Sequence, residues 1–167
     1  MISMDHVDRI ITQWNKARPD LDVGPMETIG RLSRLTVQLR REMEKTWKAY
    51  GLNPASFDVL ATLRRSGKPE GLSPGELLDL TMVTSGTMTN RIDQLVKAGL
   101  VERASNPNDK RRFLIRLTKT GFLKIEKAIT QHVEMQHQLV EGLSPVQLDD
   151  LNGLLKALGE TINPETK

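Results

Sequence analysis

Residues 73–98 carry two short helix signals separated by only about three residues, and few folds accommodate so tight a junction. Ser73-Pro74 with Glu76 is a capping-box start, in which serine and glutamate oxygens satisfy first-turn N–H groups that would otherwise lack partners. The pattern predicts a helix over Pro74 to about Leu80. A second helix is expected from near Thr84 to Ala98, closed by Gly99. The period then changes. Segments 100–104 and 113–117 suit strands, and Ser105-Asn106-Pro107-Asn108-Asp109 between them is dense turn chemistry. Helix, tight turn, helix and a hairpin with a basic tip and return strand follow one another in the order of a winged helix-turn-helix.

The flanks are helical and strongly amphipathic. Val7, Ile10, Ile11 and Trp14 form a stripe on a short helix stopped by Pro19. A longer helix is expected to begin at Pro25 and to carry Ile29, Leu32, Leu35, Leu39, Met43, Trp47 and Tyr50 on one face before Gly51 ends it, a span of about 39 Å. Asn53-Pro54 starts a helix through about Arg65. After the hairpin, Thr118 to about Glu141 and a last helix capped by Ser144-Pro145 return to helical periodicity. The expected fold is mainly α, with residues 53–118 as the winged helix-turn-helix and residues 1–52 and 119–167 as a helical dimerisation region. The compact part is too small to cover so many apolar stripes. A two-fold homodimer would cover them, and so would a monomer with its ends folded back.

The net charge of +3 says little, but its distribution says more. Residues 84–124 hold nine Lys and Arg against three Asp and Glu, while the rest of the chain holds 15 against 18. A basic segment on a slightly acidic protein suits either a phosphate-binding face or a solvated surface. On a 100° wheel Met88, Ile92, Leu95 and Val96 define the buried side of the second helix, and Thr87, Asn90, Gln94 and Lys97 the opposite side. A hydroxyl, two amides and a cation can approach phosphate, read adenine edges and neutralise phosphate. Gly86 permits close backbone approach, and the helix amino end at Thr84 and Ser85 suits a phosphate. The expected partner is double-stranded DNA, read as a palindrome by a dimer. Arg91 lies about 100° from the core direction, on the border between the two faces.

The run Ser85-Gly86-Thr87-Met88-Thr89-Asn90-Arg91-Ile92-Asp93-Gln94-Leu95, with Gly99-Leu100-Val101-Glu102-Arg103 and Asp109-Lys110-Arg111, resembles the MarR family of bacterial regulators. The resemblance implies a homodimer joined by its terminal helices, the helix at Thr84 in the major groove and Arg111 in the minor groove, with Asp109 orienting that arginine. Lys110 and Arg112 complete the basic wing. Asn106 departs from the pattern, since many members have an Asp there. Trp14, Asp58, Arg91 and Arg103 match by type and local context the ligand residues of the urate-responsive, PecS-like branch. That similarity implies a small anionic or aromatic effector, such as urate, that releases the protein from DNA. Asp58 sits in an apolar helix and needs a partner, for which Arg91 is the candidate. Trp14 is then either a stacking surface for the ligand or core packing.

An enzyme is not expected. His132 and His137 are five apart and do not share a helix face for a metal. Gly71-Leu72-Ser73-Pro74-Gly75 spells a nucleophile elbow, but it follows a loop, and Pro74 lacks the N–H an oxyanion hole requires. No cofactor is called for. The chain has no cysteine, no apolar run long enough to span a membrane and no secretory signal pattern, so a cytoplasmic location without membrane contact is expected. The runner-up is a winged helix that binds protein or RNA without ligand control.

Overall fold

The computed structural model describes residues 4–81, 88–106 and 109–162, and side chains for all of these except 106 and 109–112. Its elements run α1 (His6–Ala17), α2 (Gly24–Ala49), α3 (Pro54–Arg65), α4 (Pro74–Leu80), α5 (Met88–Lys97), β1 (Val101–Asn106), β2 (Asp109–Leu117), α6 (Lys119–Val140) and α7 (Pro145–Ile162). The caps fall where short-range chemistry places them. Asn53 Oδ1 accepts from the Ser56 amide at 2.8 Å. Ser73 and Glu76 close a reciprocal box, the Glu76 amide donating to Ser73 Oγ at 3.2 Å and the Ser73 amide to Glu76 Oε2 at 2.8 Å. Ser144 and Gln147 form the same box ahead of α7.

Two elements differ from expectation. The strands reach further into the hairpin, with Ser105 opposite Phe113 and Asn106 opposite Asp109 across a register irregularity. Turn-forming residues therefore sit on a ladder, because pairing with the opposite strand outweighs their local preference. The expected loop before Ser73 also makes a β-bridge. Leu72 and Ile115 exchange backbone hydrogen bonds of 2.9 and 2.7 Å. Gly71 makes this approach feasible, since a Cβ there would lie 2.3 Å from the Ile115 oxygen. The start expected near Thr84 for the second helix-turn-helix helix falls outside the described residues; α5 is described from Met88 onward.

One main core seats the helix-turn-helix and the hairpin. Leu60 and Val59 of α3, Leu77 of α4, Ile92 and Leu95 of α5, Val101 and Ile115 of the hairpin and Ile125 of α6 are all buried in it. A second, smaller core of Val7, Ile11 and Val23 holds α1 near the start of α2. Around it Arg31 of α2 bonds Asp5 at 2.9 Å and also Asp8, and approaches Glu27 at 3.6 Å. The Asp8 amide and the Arg31 guanidinium hold the Asp5 carboxyl below its ordinary range. The apolar face of α2 is only partly used within the chain, where Ile29, Leu35 and Leu39 stay exposed. Helix α7 has no buried residue at all.

Candidate nucleic-acid interface and ligand site

Helix α5 stands on the core through Met88, Ile92 and Leu95, each buried, with Val96 half-buried. Its other face presents Asn90, Gln94 and Lys97 to solvent, as the wheel requires. Thr84, Ser85, Gly86 and Thr87 lie outside the described residues. Gly99 ends the helix in the left-handed region at φ 67°, and the Leu100 amide returns to the Leu95 oxygen at 3.0 Å. The chain can then turn directly into β1. Residues Asp109, Lys110, Arg111 and Arg112 occupy the start of β2, and their side chains are outside the described set.

The four candidate ligand residues, Trp14, Asp58, Arg91 and Arg103, lie on α1, α3, α5 and β1. Asp58 and Arg91 lie on α3 and α5, which pack together in the main core. The arginine placed against Asp58 is Arg65, whose Nη1 stands 3.9 Å from Oδ1 and whose Nη2 donates to the Leu80 carbonyl. Sequence reasoning favoured Arg91, and the reason for the difference is local. Arg65 is two helical turns along from Asp58 on the same helix and reaches back, whereas Arg91 must reach across from another helix. Arg91 is half-buried, and among the described residues its Nη1 is buried without a hydrogen-bond partner. A buried donor with no acceptor is costly. Arg103 is engaged elsewhere. It bonds Asp93 of α5 and lies over the Phe113 ring, 5.2 Å from its centre, which ties the wing to the helix beside it. Trp14 is 41% exposed on α1, so it is not core packing within this chain.

Residues 50–112 match the family profile described as "MarR family". The HTH-type transcriptional regulator PecS of Dickeya dadantii is 38% identical over 149 residues, which cover 89% of this chain and 90% of that protein. The chain belongs to the MarR family. The transcriptional repressor YetL of Bacillus subtilis is 28% identical over 153 residues, 92% of this chain and 91% of that one. Among solved structures, a cysteine variant of MarR from Escherichia coli complexed with operator DNA superposes with a TM-score of 0.66 at 28% identity, covering 87% of this chain and 96% of the other. These relatives are transcription regulators and not enzymes, in keeping with the absence of a convergent catalytic set in the sequence. Among the described residues no helix is long and apolar enough to cross a membrane.

In this MarR-family chain the structure also assembles a group that sequence reasoning passed over. Trp47 of α2, Phe57 of α3 and His132 of α6 form an aromatic cluster, with ring centres 5.2 Å apart for Trp47 and Phe57, 4.9 Å for Phe57 and His132 and 5.7 Å for Trp47 and His132. All three are buried, and among the described residues neither Trp47 Nε1 nor His132 Nδ1 has a hydrogen-bond partner. Burial pushes the His132 pKa down, so the ring is neutral at pH 7. Weighing His132 only as a metal ligand hid this role. The available signal was its position seven residues after Ile125 and four after Ala128, on the buried side of α6.

Proposed function

We propose that this chain is a ligand-responsive transcriptional repressor that binds a palindromic operator as a homodimer and is released by a small anionic, aromatic effector, with urate the first candidate. The observation that carries the DNA-binding half is the solvent-facing row Asn90, Gln94 and Lys97 on a short helix held rigidly by its buried side. Two amides and a cation at that spacing suit a major groove. Thr84, Ser85, Gly86 and Thr87 would meet the phosphates and first bases, and Asp109, Lys110, Arg111 and Arg112 would carry the wing to the minor groove. The operator complex of the Escherichia coli relative and the repressor named in Bacillus subtilis support this reading.

Dimerisation is assigned to residues 1–52 and 119–167, and DNA reading to 53–118. Val146 and Leu154 of α7 are 69% and 70% exposed in the single chain, and with Leu35 and Leu39 of α2 they form apolar surface that a two-fold partner would remove from water.

The effector site is assigned to Trp14, Asp58, Arg91 and Arg103. Arg91 Nη1, buried and without a hydrogen-bond partner among the described residues, supplies a donor for a ligand oxygen, and α3, which carries Asp58, packs against the helix of Arg91, so that an anion bound there would act on that carboxylate. Arg103 would have to exchange Asp93 for the ligand, which couples ligand binding to the link between wing and α5. Trp14 offers an exposed ring for stacking. Gel-shift titration on the DNA upstream of the protein's own gene, with and without urate, tests the proposal. Urate should weaken binding by wild type and leave Asp58→Ala and Arg91→Ala bound. Equal weakening of all three would sink the urate site, and an absence of DNA binding by wild type would sink the regulator reading itself.

A further inference from the structure

We propose that a cleft at the base of the wing is a second binding site, made for a small organic anion with a flat apolar body, and independent of the site at Asp58 and Arg91. The cleft lies between the end of α3, the loop before α4, the end of β2 and the start of α6, and has a volume of about 440 Å³. That is within the range of small-molecule pockets. Arg64, Lys68, Arg116 and Lys119 line it, over a floor that includes Leu117 and Phe122, and among the described residues no carboxylate faces into it.

Three of these cations are held in place by acids that lie outside the lining. Arg64 Nε bonds Glu126 at 2.5 Å, Lys68 bonds Glu76 at 2.7 Å and Arg116 Nε bonds Glu102 at 2.6 Å. Arg64 also lies over the Phe122 ring, 5.2 Å from its centre. Each pairing orients a cationic head without occupying the cleft, and Lys119 makes no ion pair among the described residues. The walls are stiff. The Leu72–Ile115 bridge ties the loop before α4 to β2, and Gly121 lets α6 pack directly on the Leu100 carbonyl. A pre-formed site pays little ordering entropy on binding.

The lining chooses the ligand class. Converging cations favour a carboxylate or similar anion, to which guanidinium and ammonium donors bond strongly. The apolar floor adds stability only if the anion carries hydrophobic surface to cover it. A bare inorganic anion leaves the floor in water, and a neutral hydrophobe strips solvation from the cations without offering them a charge in return. Arg116 belongs to the wing and Lys119 and Phe122 to α6, so an occupant would span the joint between the wing and the helix that leaves it.

The test is a titration of the full chain with 2-naphthoate, followed by its fluorescence anisotropy, with 2-naphthamide and inorganic phosphate as the neutral and the body-free comparators. Saturable binding of 2-naphthoate, one per chain, is expected, with much weaker binding of the other two. Lys119→Ala, and Arg116→Ala in the same chain, should each lower affinity by about tenfold or more, the loss of a charge-assisted contact. Circular dichroism melts establish that the variants fold. Absence of saturable binding, equal binding of 2-naphthamide or phosphate, or wild-type affinity in the folded Lys119→Ala, Arg116→Ala protein would overturn the proposal. Loss of binding in Arg91→Ala with retention in the Lys119→Ala, Arg116→Ala protein would place the anion at the other site and overturn it as well.

Discussion

Replacing Gly121 by alanine pits helix propensity against packing, and the geometry decides which wins. Alanine is about 1 kcal/mol better than glycine inside a helix, so α6 considered alone would gain. In the fold, however, a Cβ at 121 would stand 1.9 Å from the Leu100 oxygen and 2.8 Å from its carbonyl carbon, where real Cβ atoms essentially never come within 3.0 Å. The obstacle is backbone and cannot rotate away. It is also held from behind, because the Leu100 oxygen accepts from the Thr118 amide at 3.1 Å, and Thr118 Oγ1 donates to the Gly99 oxygen at 2.7 Å. The Gly121 amide is itself fixed by Thr118 Oγ1 at 3.0 Å. Relief requires α6 to move off the wing by more than an ångström, breaking this junction. Overpacking of buried sites costs about 1–3 kcal/mol, and a backbone-on-backbone clash belongs at the upper end. After the propensity gain, a net loss of about 2 kcal/mol remains, or about 4–8 °C in Tm for a chain of this size. Gly75 is the control. It is exposed within α4, and a Cβ there meets nothing within 4 Å, so Gly75→Ala should raise stability by about 0.5–1 kcal/mol. Urea and thermal unfolding of both variants at one protein concentration measure the two signs together. A Gly121→Ala chain as stable as wild type would refute the packing argument.

Two further outcomes follow from the surfaces and the buried histidine. A cation on the exposed apolar face of α7, as in Leu154→Lys, should halve the mass seen by sedimentation if that face is the dimer seam, with little change in the helical signal. An unchanged mass would move the seam elsewhere. His132 is neutral when buried, with its folded pKa below its ordinary value of 6.5. The unfolded chain therefore binds the extra proton first on acidification, so its contribution is complete above pH 6.5 and is lost as pH falls toward the folded pKa. His132→Phe should flatten the stability profile just below pH 6.5, and a slope identical to wild type would exclude the histidine as its source.

Most element positions were legible in the chain because they are set by interactions a few residues apart. Asn53, Ser73 with Glu76, Thr118 and Ser144 cap the helices they precede, and the wheel of α5 separates Met88, Ile92 and Leu95 from Asn90, Gln94 and Lys97 as observed. The border position of Arg91 was legible for the same reason. The MarR family was legible too, since the motifs of the recognition helix and wing are contiguous in sequence.

Partnership was not. Asp58 meets Arg65 and not the arginine favoured for it, Arg103 is taken by Asp93, and Trp47, Phe57 and His132 converge from three helices. The cationic cleft likewise brings Arg64 and Lys68 on one stretch of chain together with Arg116 and Lys119 on another, some fifty residues on. Periodicity says which side of a helix faces inward, but not which side chain of another element arrives opposite it. That depends on crossing angles and on the length of each side chain against the gap it must cross. The sequence by itself therefore determined the elements, their caps, the faces they bury and the family. Only the tertiary structure decided which charges pair, because ionic partners chosen over distances of a few ångströms are set by packing between elements and not by spacing within them.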